Sequence, residues 1–113
     1  MEETACIGWW KQFGFHANME GLRMRVDGDH IQGSGLDVAG AFLFDGVLAE
    51  DGSLVMKKQY LGRHIVLYHG RFNGKDHFWG TWELEGMQGP WEILAREGEG
   101  EETMEVKTEE VQV

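Results

Sequence analysis

His77-Phe78-Trp79-Gly80-Thr81-Trp82-Glu83-Leu84, then Glu85-Gly86, then Pro90-Trp91-Glu92-Ile93-Leu94-Ala95-Arg96 is the stretch that decides the fold. It reads as two extended segments, 76–84 and 90–96, joined through a turn. Side chains two apart share a face of a strand. Phe78, Gly80, Trp82 and Leu84 therefore oppose His77, Thr81 and Glu83, with Trp79 on the wetter side, and Trp91, Ile93 and Ala95 oppose Glu92. Two Gly-x-Trp triplets, Gly80-Thr81-Trp82 and Gly89-Pro90-Trp91, fall here, and a third, Gly8-Trp9-Trp10, opens the chain. In each, glycine leaves room for an indole one strand period away.

The same alternation extends outward from this hairpin. Turn residues recur every eight to twelve positions, the spacing of an antiparallel meander rather than of βαβ units. Further strands are expected at 7–14, 20–27, 29–34, 39–48, 53–60 and 63–71, giving about eight. Asp27-Gly28-Asp29, Asp51-Gly52 and Asn73-Gly74-Lys75 supply positive-φ turn positions between them. Leu22, Met24 and Val26 face the core opposite Arg23 and Arg25, and Leu54 and Met56 share a face with Lys58 and Tyr60. Segments 39–48 and 63–71 are apolar on both faces, so parity leaves them open; a partner subunit or the chain's own tail would cover their outer side. Residues 16–22 read as a short helical turn or a loop plugging one end. The expected fold is all-β, an antiparallel eight-stranded up-and-down β-barrel occupying residues 1–96.

The chain has 113 residues, enough for one core, with 17 glycines, 5 tryptophans and 6 phenylalanines. Its net charge is −10, and residues 97–113 hold seven acids against Lys107, so −6 of that charge lies in an acidic tail. The tail is expected to be disordered, or else to add an edge strand or reach a partner as an arm. Such a charge repels phosphate backbones, which argues against nucleic acid and anionic membranes as partners. A single cysteine, Cys6, an acidic N-terminus and the lack of a long apolar run point to a cytoplasmic protein.

Lys58 and Tyr60 share the inward face of one strand, and the next strand offers either His64, Val66 and Tyr68 or Ile65, Leu67 and His69 beside them. A buried ammonium beside a phenol would anchor the acidic end of an apolar ligand; the alternative is that Lys58 pairs with Asp37 or reaches out of the rim. Trp10, Trp82 and Trp91 would form an aromatic floor for a ring-shaped guest, or simply fill the barrel. The expected ligand-binding set is Lys58, Tyr60, Tyr68, Trp82, Trp91, Trp10 and His64.

No catalytic set is expected. Ser34 lacks the first glycine of a nucleophile elbow, and Glu83 and Glu92 face outward as solvated charges. The five histidines form no His-x-His pair, so neither a metal nor a cofactor is expected. Function is thus expected to be non-enzymatic: a small, mainly apolar ligand held in the barrel, or a filled barrel serving protein interaction or homo-oligomer assembly.

Gly8-Trp9-Trp10 at the start and Ala95-Arg96 at the end of 7–96 resemble the calycin-like barrels: lipocalins, fatty-acid-binding proteins and avidins. The resemblance implies an arginine packed across the first-strand indole at the closed end. Gly33-Ser34-Gly35-x-Asp37-x-x-Gly40-x-Phe42 and Lys58-x-Tyr60-x-Gly62-x-His64-x-x-x-Tyr68-x-Gly70 are similar to lipocalin-like domains. No counterpart of the avidin biotin set occurs around residues 11–20, so biotin binding is not carried over.

Overall fold

The computed structural model describes residues 1–96, and the acidic segment read above as a tail lies outside them. Eight antiparallel strands follow one another around a closed barrel: β1 (Thr4–Gln12), β2 (Phe15–Asp27), β3 (His30–Asp37), β4 (Gly40–Leu48), β5 (Ser53–Tyr60), β6 (Ile65–Phe72), β7 (His77–Leu84) and β8 (Met87–Ala95). Closure comes from β1 against β8, where Cys6 pairs with Ala95 and Trp10 with Trp91. Every strand of the described residues then has a partner on both sides, and the barrel they form leaves no edge to recruit another chain.

The core is the inward parity set. Leu22, Met24, Phe42, Phe44, Leu54, Met56, Phe72, Phe78, Trp82, Trp91 and Ile93 are all buried. The two unresolved segments take definite faces: Phe42 and Phe44 point in while Leu43 and Val47 point out, and Val66, Tyr68 and Phe72 point in while Ile65 and Leu67 point out. Large inward rings need small residues opposite. Gly70 pairs with Gly80 across β6 and β7, and a Cβ added to Gly70 would collide with the carbonyl oxygen of Trp79. One end of the barrel is closed by the stacked rings of Phe72 and Phe78, centroids 4.3 Å apart, with Met1, Val26 and Leu48 packed against the core.

Residues 16–22 are neither helical nor a plug. They belong to β2, which carries a bulge: Met19 and Leu22 both face in although three residues apart, and the register against β1 and β3 shifts at the same place. Gly21, at φ 59°, supplies the positive φ that the extra residue needs. The bulge switches the inward parity from Ala17 and Met19 to Leu22 and Met24, and that break in period is what made the segment look non-extended. β8 likewise starts before residue 90. Pro90 sits past the last β1–β8 pair, so its missing N–H removes no bond to β1.

Two hairpins close through two-residue loops with positive φ at both positions, Phe13 with Gly14 and Glu85 with Gly86. Phe13 is the unusual member. A bulky side chain at φ 49° is strained, and at 88% exposure it gains almost no burial in return. Replacing it with asparagine, which tolerates this backbone region, should raise unfolding free energy by about 0.5–1 kcal/mol. Urea denaturation of Phe13→Asn checks this, and an unchanged or lower midpoint would contradict the assignment of strain.

Candidate functional site

At the rim opposite the Phe72–Phe78 end, the β3–β4 turn brings a carboxylate over the barrel axis. Asp37 ends β3, and its Oδ1 accepts the Ala39 N–H at 2.9 Å, an Asx turn that fixes the side chain inward. Its Oδ2 then accepts three donors from two other strands: Lys58 Nζ at 2.7 Å, Tyr60 Oη at 2.9 Å and Trp10 Nε1 at 3.0 Å. Lys58 also donates to Tyr68 Oη at 3.1 Å. Its ammonium lies 4.3 Å from the Phe42 ring centroid, so an aromatic face takes up part of the charge not spent on hydrogen bonds.

The side chains of Lys58 and Asp37 are both fully buried. Burial pushes the Lys58 ammonium down to about 8, and Asp37 only partly restores it. Burial also pushes the Asp37 carboxyl up, but the Lys58 hydrogen bond and charge, with the N–H groups of Ala39 and Trp10, outweigh it, so Asp37 titrates below the usual 3.8. Both phenols are driven upward, Tyr60 by burial and then by Asp37, Tyr68 by burial and then by Tyr60 and Asp37. The cluster is an ion pair whose carboxylate takes neutral donors from Trp10, Ala39 and Tyr60 and whose ammonium donates to the neutral Tyr68 hydroxyl.

Above it is a cavity of about 190 Å³ lined by Trp10, Gln12, Ala39, Tyr60, His64, Val66, Tyr68, Trp82, Leu84 and Met87. These residues come from the rim where the Phe13, Val38, Leu61 and Glu85 turns lie. Trp10 and Trp82 meet edge to face with centroids 6.1 Å apart, and Trp82 Nε1 is held by the Lys11 carbonyl at 2.9 Å. His64 lies at the rim beside Tyr60, ring centroids 5.0 Å apart.

Of the residues expected to touch a ligand, Trp10, Tyr60, His64, Tyr68 and Trp82 line one cavity. Lys58 and Trp91 are inside the barrel but behind that wall, Lys58 engaged with Asp37 and Trp91 packed on Tyr68 at 5.1 Å. The Trp91 indole N–H is a buried side-chain donor without a partner among the described residues. Ala39, Gln12, Leu84 and Met87 were missed as wall residues, and Val66 was offered only as one of two alternatives. Gln12 and Leu84 shared a face with Trp10 and Trp82, whereas Ala39 and Val66 lay in segments that parity left open and Met87 lay between the expected strands.

Arg96 donates its backbone N–H to Ala5 at 2.8 Å, whereas Trp10 stands beside Trp91 at the cavity end of β1. Trp10 meets Asp37, Phe15 and Trp82 there. On the outer wall, His30 is 2.6 Å from Asp45 and His77 2.6 Å from Glu92. Among the described residues, no three potential metal-ligating side chains converge, and no helix is long and apolar enough to cross a membrane. Compared with protein-family models, curated proteins and solved structures, the chain matches none.

A buried pair broken on one side costs more than a pair removed whole. Lys58→Met should therefore destabilise by about 3–5 kcal/mol, and Lys58→Met with Asp37→Leu should recover much of that loss, both read from urea unfolding. Equal losses in the single and double variants would contradict this.

The pair also sets a pH signature. Lys58 loses its proton near pH 8 when folded but near 10.5 when unfolded, so its contribution to stability rises with pH across that window. Asp37 works at the acid end: its contribution is present above 3.8 and is lost as pH falls through its lower folded value. Relative to the charge-free double variant, the wild type should gain stability from pH 7.5 to 9.5 and lose it below pH 4. Parallel curves for the two proteins would show that the pair does not titrate this way.

Proposed function

We propose that this is a calycin-like, non-enzymatic barrel that binds one small, mainly apolar molecule in the rim cavity. The single observation that carries the reading is the combination of size and lining: about 190 Å³ walled by Trp10, Tyr60, Tyr68 and Trp82. An apolar cavity of about 150 Å³ is enough to take up benzene, while drug-sized guests need roughly 300 Å³ or more. The guest is accordingly one ring with a short substituent, about ten non-hydrogen atoms, and not a long acyl chain. The unpaired Cys6, whose thiol is pushed up to about 11 by burial, suits a reducing compartment such as the cytoplasm.

The Lys58–Asp37 pairing bears on the guest's charge. With its ammonium already neutralised, Lys58 supports the wall and is not an anchor for an acid. Calorimetric titration with one-ring aromatics should give a dissociation constant on the order of 10–100 μM, the range open to about ten atoms contributing roughly 0.6 kcal/mol each. Ala39→Phe, which places a ring in the cavity mouth, should abolish that heat without lowering the thermal midpoint. If no one-ring compound binds, or if Ala39→Phe binds as the wild type does, the reading fails.

A second reading rests on the outer wall. Leu43, Val47, Val55, Ile65 and Leu67 are 42–61% exposed on neighbouring strands β4, β5 and β6. Apolar surface of this kind marks contacts, here with another protein or a second copy of the chain. Light scattering of the wild type and of Val55→Glu with Ile65→Glu separates the readings: self-assembly predicts a mass above one chain that the charged variant returns to one.

A further inference from the structure

We propose that the guest is a neutral molecule carrying a hydrogen-bond acceptor, a carbonyl oxygen or pyridine-type nitrogen, and that the Tyr68 hydroxyl is the group that meets it. This rests on the ligand-binding reading above and narrows it to a chemical class. Tyr68 is 1% exposed and forms part of the cavity wall. Its oxygen accepts from Lys58 at 3.1 Å, and among the described residues that is the one hydrogen bond the hydroxyl makes. Its own proton is left without an acceptor.

The other buried polar hydrogens of the wall are spent, while Gln12 and His64 keep N–H groups at the rim. Tyr60 and Trp10 donate to Asp37, Trp82 donates to the Lys11 carbonyl, and Gln12 donates to the Met87 sulfur at 3.4 Å. A buried donor with no acceptor is destabilising, and an acceptor in the cavity recovers that loss. Donation from a cationic ammonium into the phenol oxygen strengthens that phenol as a donor in turn. Burial also keeps Tyr68 protonated far above neutral pH.

The charge of the guest follows from the same cluster. Asp37 cancels Lys58, both out of contact with solvent, so the inner wall presents no net cation to offset the desolvation of a carboxylate. The remaining wall is aromatic and aliphatic apart from Gln12 and His64 at the rim. A neutral acceptor on a flat ring satisfies the Tyr68 hydroxyl without bringing in a charge.

Acetophenone and α-methylstyrene have nearly the same shape and differ in a carbonyl oxygen against a methylene, and benzoate supplies the anionic comparison. By isothermal titration calorimetry at pH 7, acetophenone should bind the wild-type protein about tenfold tighter than α-methylstyrene and tighter still than benzoate. In Tyr68→Phe that preference should collapse to near unity while α-methylstyrene binding holds. Should Tyr68→Phe not fold, the infrared carbonyl stretch of acetophenone bound to the wild type decides: it must fall below its value in hexane. Equal binding of the two compounds to the wild type, an unchanged preference in Tyr68→Phe, an unshifted stretch, or tightest binding of benzoate would each overturn the inference while leaving a ligand site standing. Absence of binding by all three compounds would overturn both.

Discussion

A lysine and an aspartate held together out of water organise the open half of this barrel. Taking either charge out of water alone costs several kcal/mol, so the fold that buries Lys58 has to deliver Asp37 to within 2.7 Å of it, give the carboxylate further donors and give the ammonium a further acceptor. That requirement ties four strands together at one height: Trp10 from β1, Asp37 from β3, Lys58 and Tyr60 from β5, and Tyr68 from β6. A one-residue slip of β5 would turn Lys58 outward and leave the carboxylate unpartnered. The pair therefore acts as a register lock as well as a packing element.

The lock also explains why the interior is solid on one side and hollow on the other. Toward Phe72 and Phe78, apolar rings and methionines interdigitate with glycines set opposite them, as a narrow barrel requires. At the Asp37 layer the inward positions are committed to polar geometry and cannot rearrange to fill what lies above. Trp10 and Trp82 are each fixed by an N–H bond, and Tyr60 and Tyr68 by their hydroxyls. Four rings held by polar contacts leave a cavity that would otherwise collapse on itself.

Strand number, direction and most inward faces were legible in the sequence because a two-residue period survives wherever one face is wet. It failed where that premise failed. Leu43, Val47, Ile65 and Leu67 are apolar yet outside, so segments 39–48 and 63–71 carried no contrast between faces. At Glu20 and Gly21 a bulge broke the period itself. The Lys58–Asp37 pairing was open as one of two alternatives, since Lys58 sat among inward residues and Asp37 among turn residues. Most rings that bound the cavity were named from the sequence, but that Trp91 lies below it was not legible, because that depends on how high each strand stands around the cylinder. Alternation along a single strand carries no record of that height.

An even count of strands brings an up-and-down chain back to the rim from which it set out. Met1 and Arg96 accordingly lie together at the Phe72–Phe78 end, Met1 bonded to Val26 and Arg96 to Ala5, with the whole length of the cylinder between them and Trp10, His64 and Met87. Whatever is joined to either end of the barrel, whether a tether, a neighbouring module or a solid support, therefore attaches at the base and leaves the mouth facing away from its attachment.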